Sequence, residues 1–106
     1  FISGRNKDLI ISGGFNVYPK EIEDIINQHN SVIESAVFGI KDNDLGEVPI
    51  AAVVVINNNI DIKDLSIFVE NNLVKYKIPK KYVILSELPK NIMGKVQKNI
   101  LKDKYS

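Results

Sequence analysis

The feature that most constrains the fold is an unbroken apolar run in the middle of the chain. Residues 50–56 read Ile-Ala-Ala-Val-Val-Val-Ile, and most of them are β-branched. Strands that are buried on both faces have this pattern, because no polar residue alternates with the apolar ones. The run therefore predicts a central strand, in a chain of 106 residues that is long enough for one domain with a modest core.

The first part of the chain predicts a bent ribbon followed by a helix. Residues 8–11 and 15–18 are short β-prone stretches on either side of a Ser-Gly-Gly turn. Gly13 and Gly14 permit positive φ and the close approach of a ligand or another backbone. Pro19 suits the first position of a helix. The apolar positions of that helix recur at helical spacing, at Ile22, Ile25 and Ile26.

The rest of the chain predicts further strands and two more helices. We expect strands at residues 32–40 and 82–85, a loop at 41–47 and a turn at 57–59. Asp61 is a plausible N-cap of a second helix, and the predicted core side of that helix comprises Leu65, Phe68, Val69 and Leu73. A basic helix at residues 96–104 should face Ile100 and Leu101 inward.

These elements predict an α+β fold. Its small sheet consists of the N-terminal hairpin and about three further strands, packed with two main helices and a short C-terminal helix. The chain opens at Phe1 without a Met, in what resembles a strand. We therefore expect residues 1–106 to be one domain of a longer protein.

Composition excludes several kinds of function. The formal net charge is only +1, from 14 basic and 13 acidic residues, which argues against a nucleic-acid binder. There is no cysteine, and no apolar run is long enough for a membrane span. The single histidine, His29, lies near a predicted helix end that Asn30 could stop. We interpret His29 as a cap or surface residue, and we expect no metal site.

A lysine in the loop before the last helix is the candidate reactive group. Residues 89–95 read Pro-Lys-Asn-Ile-Met-Gly-Lys, in which Pro89, Asn91 and Gly94 favour an exposed turn. Lys95 could then move its ammonium group into a neighbouring site and contact a phosphate. A simple solvated turn is the alternative for this stretch taken alone.

Two stretches at opposite ends of the chain resemble the C-terminal domain of adenylate-forming enzymes. The first is residues 4–23, Gly-Arg-Asn-Lys-Asp-Leu-Ile-Ile-Ser-Gly-Gly-Phe-Asn-Val-Tyr-Pro-Lys-Glu-Ile-Glu, and the second is residues 88–95. Together with residues 96–101, the pattern is most similar to malonyl-CoA synthetases. Medium- and long-chain fatty acyl-CoA ligases share much of it.

The resemblance implies two half-reactions. A carboxylate attacks ATP to give an acyl-adenylate and pyrophosphate, and the thiol of coenzyme A then displaces AMP to form an acyl-CoA thioester. A large N-terminal domain would hold the acid, ATP and Mg²⁺, and this domain would be its mobile lid. The implied location is the cytoplasm, the implied metabolism includes that of fatty acids, and the isolated domain should be inactive.

The resemblance also implies roles for individual residues. Lys95 matches the catalytic lysine of adenylation, and Arg5 matches an arginine that contacts ATP or AMP. Lys7 matches the hinge on which the lid turns. The residues matched to the coenzyme A channel are Gly13, Gly14, Phe15, Tyr76 and Lys77. The alternatives from the residues alone are a surface ion pair for Arg5, a hairpin turn for the glycines, and a packed aromatic beside a solvated lysine for Tyr76 and Lys77.

Three positions depart from the family pattern. Ile11, Asn16 and Leu45 are neutral where many relatives carry polar or basic residues, so contacts to the phosphates of coenzyme A would have to come from other lysines. The alternative function is the end of a peptide-synthetase adenylation domain, which transfers an acyl group to the phosphopantetheine of a carrier protein. A small interaction domain without chemistry is the third interpretation.

Overall fold

The structure is a computed structural model that describes residues 9–56 and 61–105. The predicted ATP contact Arg5, the predicted hinge Lys7 and the predicted turn at 57–59 lie outside the described residues. In chain order the elements are β1 (Ile10–Ser12), β2 (Phe15–Val17), α1 (Pro19–Ile26), β3 (Val32–Asp42), β4 (Gly46–Val55), α2 (Ile62–Glu70), a 3₁₀ turn (Lys75–Lys77), β5 (Lys81–Leu85) and α3 (Lys98–Tyr105). The predicted α+β class is confirmed.

Strand β4 lies in the middle of the five-stranded sheet. It pairs antiparallel with β3 along its length, and on its other side it pairs with β1 at one end and parallel with β5. Alternate β4 residues enter different cores. Ala51, Val53 and Val55 pack with α1 and α2, whereas Ile50 and Ala52 pack on the opposite side. This double burial explains why the run has no polar member, and it confirms the predicted central strand.

Helices therefore cover both faces of the sheet. On one face, Ile22 and Ile26 of α1 and Leu65 of α2 are fully buried against β4. On the other face, Leu101 of α3 packs with Phe38 of β3 and with β4. Local signals set the helix starts as predicted, because Pro19 opens α1 and the Asp61 side chain accepts a hydrogen bond from the Lys63 amide at 3.0 Å.

The predicted loop at 41–47 is wrong. Strand β3 continues to Asp42 and β4 already begins at Gly46, so only three residues form the turn. The Asp42 carboxylate accepts hydrogen bonds from the amides of Asp44 and Leu45, at 3.1 and 2.9 Å, and Gly46 has a φ of +85°. A side-chain-capped turn with a left-handed glycine reverses the chain tightly, although its residues are polar.

The predicted limits of α1 and α3 also need correction. Helix α1 ends at the C-cap Asn27, ahead of Asn30, and the amide of Ser31 donates to Nδ1 of His29 at 3.1 Å. Helix α3 begins at Lys98, because Val96 is extended and pairs with Lys90. In α3 the inward-facing residue is Leu101, which is buried.

Ile100, which we expected to face inward, is 48% exposed. Leu73 packs against the core as expected, but it lies beyond the end of α2. Among the described residues, no helix is long and apolar enough to cross a membrane.

Tyr82 of β5 provides a test of this packing. Burial of its hydroxyl, and then the nearby charge of Glu70, raise the pKa of Tyr82 to about 12. The Ser66 hydroxyl donates to Glu70 at 2.8 Å, and among the described residues the Tyr82 hydroxyl has no hydrogen-bond partner. Replacing it with Phe should therefore cost little stability at neutral pH.

We predict that Tyr82→Phe changes how stability depends on alkaline pH. Between about pH 10 and about pH 12 the unfolded tyrosine releases its proton while the folded one keeps it, so the free energy of unfolding of the wild type falls as pH rises. The Phe variant lacks this contribution. Urea denaturation across that window should show the variant gaining stability relative to the wild type, and parallel pH profiles would contradict the assignment.

Candidate functional site

The Lys95 turn, residues 90–96, is fixed by hydrogen bonds within the turn. The Asn91 side-chain oxygen accepts from the amides of Met93 and Lys95, each at 2.9 Å. The Asn91 amide donates to the Lys95 carbonyl at 2.9 Å, and the Gly94 amide donates to the Asn91 carbonyl at 2.9 Å. Gly94 has a φ of +83°, which favours glycine at this position. The backbone of Lys95 is therefore held in place.

The two arms of the turn are also joined to each other. Lys90 and Val96 form an antiparallel bridge, and the Gln97 amide donates to the Pro89 carbonyl at 2.8 Å. The Lys95 side chain is exposed, and within residues 9–56 and 61–105 no carboxylate forms an ion pair with it. A fixed backbone thus carries an ammonium group that is available to a ligand.

The exposed lysine borders a basic groove of about 590 Å³ between α1, the outer edge of β3 and α3. Lys98 and Lys102 line the groove with Lys95, and among the described residues Glu23 is the one acidic side chain in the lining. Lys98 is paired with Glu23 at 2.8 Å. Its ammonium is therefore engaged, which makes Lys98 a poor substitute for Lys95.

Gly13 of the hairpin turn lies on a second surface, and Gly14 follows it in the turn without lining that surface. Gly13 and Gly14 have φ values of +58° and +86°, and the Gly13 amide donates to the Leu45 carbonyl at 2.8 Å. The ring of Phe15 stacks on that of Tyr76, with centroids 4.5 Å apart and planes at 25°. The structure thus brings Tyr76 to Gly13 and Phe15, from which it is far removed in sequence.

We name this second surface the ribbon groove: it has a volume of about 840 Å³ and includes Ser12, Gly13, Phe15, Leu45, Lys75, Tyr76 and Pro79. Its lining is largely apolar, and no residue that lines it also lines the groove at Lys95. The two predicted sites therefore lie on separate surfaces of the described domain.

Lys77 is not a free surface cation. Its ammonium lies 2.9 Å from the Glu21 carboxylate and 5.7 Å from the centroid of the Tyr76 ring. The hydrogen bond to Glu21 raises the pKa of Lys77, against the smaller opposing effect of burial. A phosphate would have to share this ammonium with Glu21 or displace Glu21 from it.

Our sequence analysis missed two lysines of the ribbon groove: Lys80, which pairs with Asp42 at 3.3 Å, and Lys75. Lys75 is exposed, lines the ribbon groove and immediately precedes Tyr76 in the 3₁₀ turn. Ile11, Asn16 and Leu45 are all exposed, but their side chains carry no charge, and of the three only Leu45 lines the ribbon groove. The proximity of Lys75 to Tyr76 in sequence was the available signal. Among the described residues, no group of His, Cys, Asp and Glu could hold a metal ion.

A family model and known proteins match this chain. The model described as the AMP-binding enzyme C-terminal domain matches residues 21–95. The 2-succinylbenzoate–CoA ligase of Listeria monocytogenes is 44% identical over 106 residues, which are 100% of this chain and 22% of that protein. A long-chain-fatty-acid–CoA ligase of Mycobacterium tuberculosis is 41% identical over 106 residues, which are 100% of this chain and 21% of that protein.

A solved structure agrees with the sequence matches. The crystal structure of ATP-bound MatB from Rhodopseudomonas palustris has a TM-score of 0.90 and 46% identity, and the match covers 94% of this chain and 20% of that one. The chain therefore spans about a fifth of the length of the curated relatives that it matches.

The Asn91 hydrogen bonds lead to a prediction about the Lys95 turn. Asn91→Ala removes the acceptor for two amides, each bond being worth about 0.5–1.5 kcal/mol. Amide hydrogen exchange at Met93 and Lys95 should accelerate, because the turn opens more often. Nuclear magnetic resonance can measure both amides. Asn91→Asp keeps an acceptor oxygen and is the matched control, and unchanged exchange in Asn91→Ala would contradict the proposed role of this side chain.

Proposed function

The chain belongs to the family of AMP-binding enzyme C-terminal domains, and we propose that it is the mobile lid of a longer, AMP-forming acid–CoA ligase. The observation that carries the proposal is the exposed Lys95 ammonium on a turn whose backbone is fixed. Its complete protein would include an N-terminal domain that binds ATP, the acid and Mg²⁺. The lid alone would be inactive.

In the first half-reaction, the carboxylate of the acid attacks the α-phosphorus of ATP. A new bond forms between the carboxylate oxygen and phosphorus, and the bond to pyrophosphate breaks. Negative charge on the reacting oxygens must be stabilised in the transition state. Lys95 would supply a positive charge between the carboxylate and the phosphate. Its fixed backbone restricts the positions that the ammonium can occupy.

In the second half-reaction, the thiol of coenzyme A attacks the acyl carbonyl and AMP leaves. We propose that the ribbon groove borders the path of the pantetheine arm, with the backbone of Gly13 beside it and the Phe15–Tyr76 stack as an apolar wall. Lys77 would bind a phosphate of the coenzyme only by sharing its ammonium with Glu21 or by leaving Glu21. Lys75 is already exposed in this groove.

The separation of the two surfaces supports a rotating lid. Among the described residues, none lines both the groove at Lys95 and the ribbon groove. One orientation of the domain would therefore direct Lys95 at the nucleotide, and another would direct the ribbon groove at the path of the thiol. Arg5 would contact the nucleotide and Lys7 would be the hinge. Both assignments come from the family resemblance.

We propose that another part of the complete protein selects the acid. Two relatives named for different acids, 2-succinylbenzoate and long-chain fatty acids, are 44% and 41% identical to this chain. The resemblance favours malonate or a fatty acid, in a cytoplasmic enzyme with access to ATP and coenzyme A. Because these relatives are CoA ligases, they favour coenzyme A over a carrier protein as the acyl acceptor.

We predict that Lys95→Gln in the full-length protein abolishes most adenylation. Gln keeps much of the side-chain bulk but lacks the charge, and the loss of such a group should lower the rate about 100- to 1000-fold. Acid-dependent exchange of labelled pyrophosphate into ATP measures this step. Thioester formation from a supplied acyl-adenylate and coenzyme A should remain.

Lys104→Gln is the matched control, because Lys104 is an exposed lysine of α3 that does not line the groove at Lys95. It should leave both half-reactions unchanged. Undiminished adenylation in Lys95→Gln would contradict the proposed function. A gene that encodes no further domain would contradict the proposed lid.

We predict that Phe15→Ala weakens coenzyme A binding without affecting adenylation. An aromatic contact is worth about 0.5–1.5 kcal/mol, so the KM for coenzyme A should rise about two- to tenfold. Steady-state kinetics of thioester formation measure this effect. Phe15→Tyr keeps the stacking ring and should behave like the wild type. An unchanged KM in Phe15→Ala would remove the ribbon groove from the coenzyme path.

A further inference from the structure

An ion pair joins the start of α3, just after the Lys95 turn, to α1. The Lys98 ammonium, in the first turn of α3, lies 2.8 Å from Oε2 of Glu23 on α1. Only 20% of the Lys98 side chain and 19% of the Glu23 side chain are exposed. Solvent screens such a pair less than it screens the pair between Lys20 and Asp24, which lies 3.6 Å apart and is mostly exposed.

The carboxylate of Glu23 is itself held by the sheet. Its Oε2 accepts a hydrogen bond from the Val37 amide at 2.8 Å. Among the described strands, β3 pairs only with β4, so alternate amides of β3 face away from the partner strand and need another acceptor, which for Val37 is Glu23. Because Val37 is fully buried and its backbone is fixed by β4, Glu23 presents its charge at a defined place.

A short segment of chain leads from Lys95 to Lys98, and hydrogen bonds of Gln97 hold it in place. The Gln97 amide donates to the Pro89 carbonyl at 2.8 Å, and the Gln97 side chain donates to the Lys95 carbonyl at 3.2 Å. The other arm is attached to β3 by an ion pair at 2.9 Å between Lys90 and Glu34. A shift in the first turn of α3 would therefore also shift the backbone of Lys95.

We propose that Glu23 and Lys98 are a positioning pair that sets the place from which Lys95 reaches the reacting phosphate. This inference rests on the proposed function of Lys95. Because the Lys98 ammonium is paired with Glu23, we assign it a positioning role in which the pair acts through the backbone that leads to Lys95. The pair would contribute to adenylation and not to thioester formation, because neither Glu23 nor Lys98 lines the ribbon groove.

The test replaces each member of the pair in the full-length enzyme. Lys98→Met removes the ammonium and keeps the aliphatic stem, and it should lower the adenylation kcat about 10- to 100-fold, as small displacements of a catalytic group do. The KM for ATP and the transfer of a supplied acyl group to coenzyme A should stay close to the wild type. Glu23→Gln keeps an acceptor for the Val37 amide, lacks the charge and should show the same selective loss.

Lys98→Arg should restore most of the adenylation rate, because it restores the cation. Lys104→Met, on the same helix, is the matched control and should leave adenylation unchanged. Wild-type adenylation in both Lys98→Met and Glu23→Gln would overturn the positioning pair. An equal loss in both half-reactions, together with a lower melting temperature, would overturn it as well, because that pattern is the one expected of a structural role alone.

The same measurements separate this inference from the proposed function. If Lys95→Gln loses adenylation while the variants of the pair keep it, only the positioning role fails. If Lys95→Gln keeps adenylation, the proposed function fails.

Discussion

The burial of β4 on both faces is the constraint on which the rest of the structure depends. Its alternate residues fill two separate cores, so β3 and β5 must flank it and helices must cover each side. A polar group on this strand would meet apolar side chains on either face and would cost free energy unless it found a partner. Chemistry is therefore confined to turns, sheet edges and helix ends, where both candidate surfaces lie.

The sequence predicts those features that interactions between neighbouring residues of the chain determine. The apolar run, Pro19 at a helix start and the N-cap Asp61 each act within a few residues of themselves, and the structure confirms all three. The start of α3 depends on a pairing between Lys90 and Val96 across the turn, which helical periodicity does not report. For that reason the helix was predicted to begin too early.

The same distinction applies to the candidate site. Gly94 and Asn91 mark the Lys95 turn locally, so the exposed lysine could be predicted from its neighbours. The stacking of Phe15 on Tyr76, and the pairing of Lys77 with Glu21 across 56 positions, depend on how the sheet brings distant segments together. Family resemblance named several of these residues, but only the fold shows that Lys77 is already paired.

Helix α1 supplies a common attachment for both surfaces. Glu21 holds Lys77 beside the ribbon groove, and Glu23 holds Lys98 beside the Lys95 turn. Residues two apart on a helix point in nearly opposite directions, so the two carboxylates serve segments on different sides of α1. Between them Ile22 is fully buried in the core, which fixes the rotation of the helix. If the domain rotates as we propose, it would carry both surfaces together, and one could be withdrawn and the other presented without any rearrangement inside the domain.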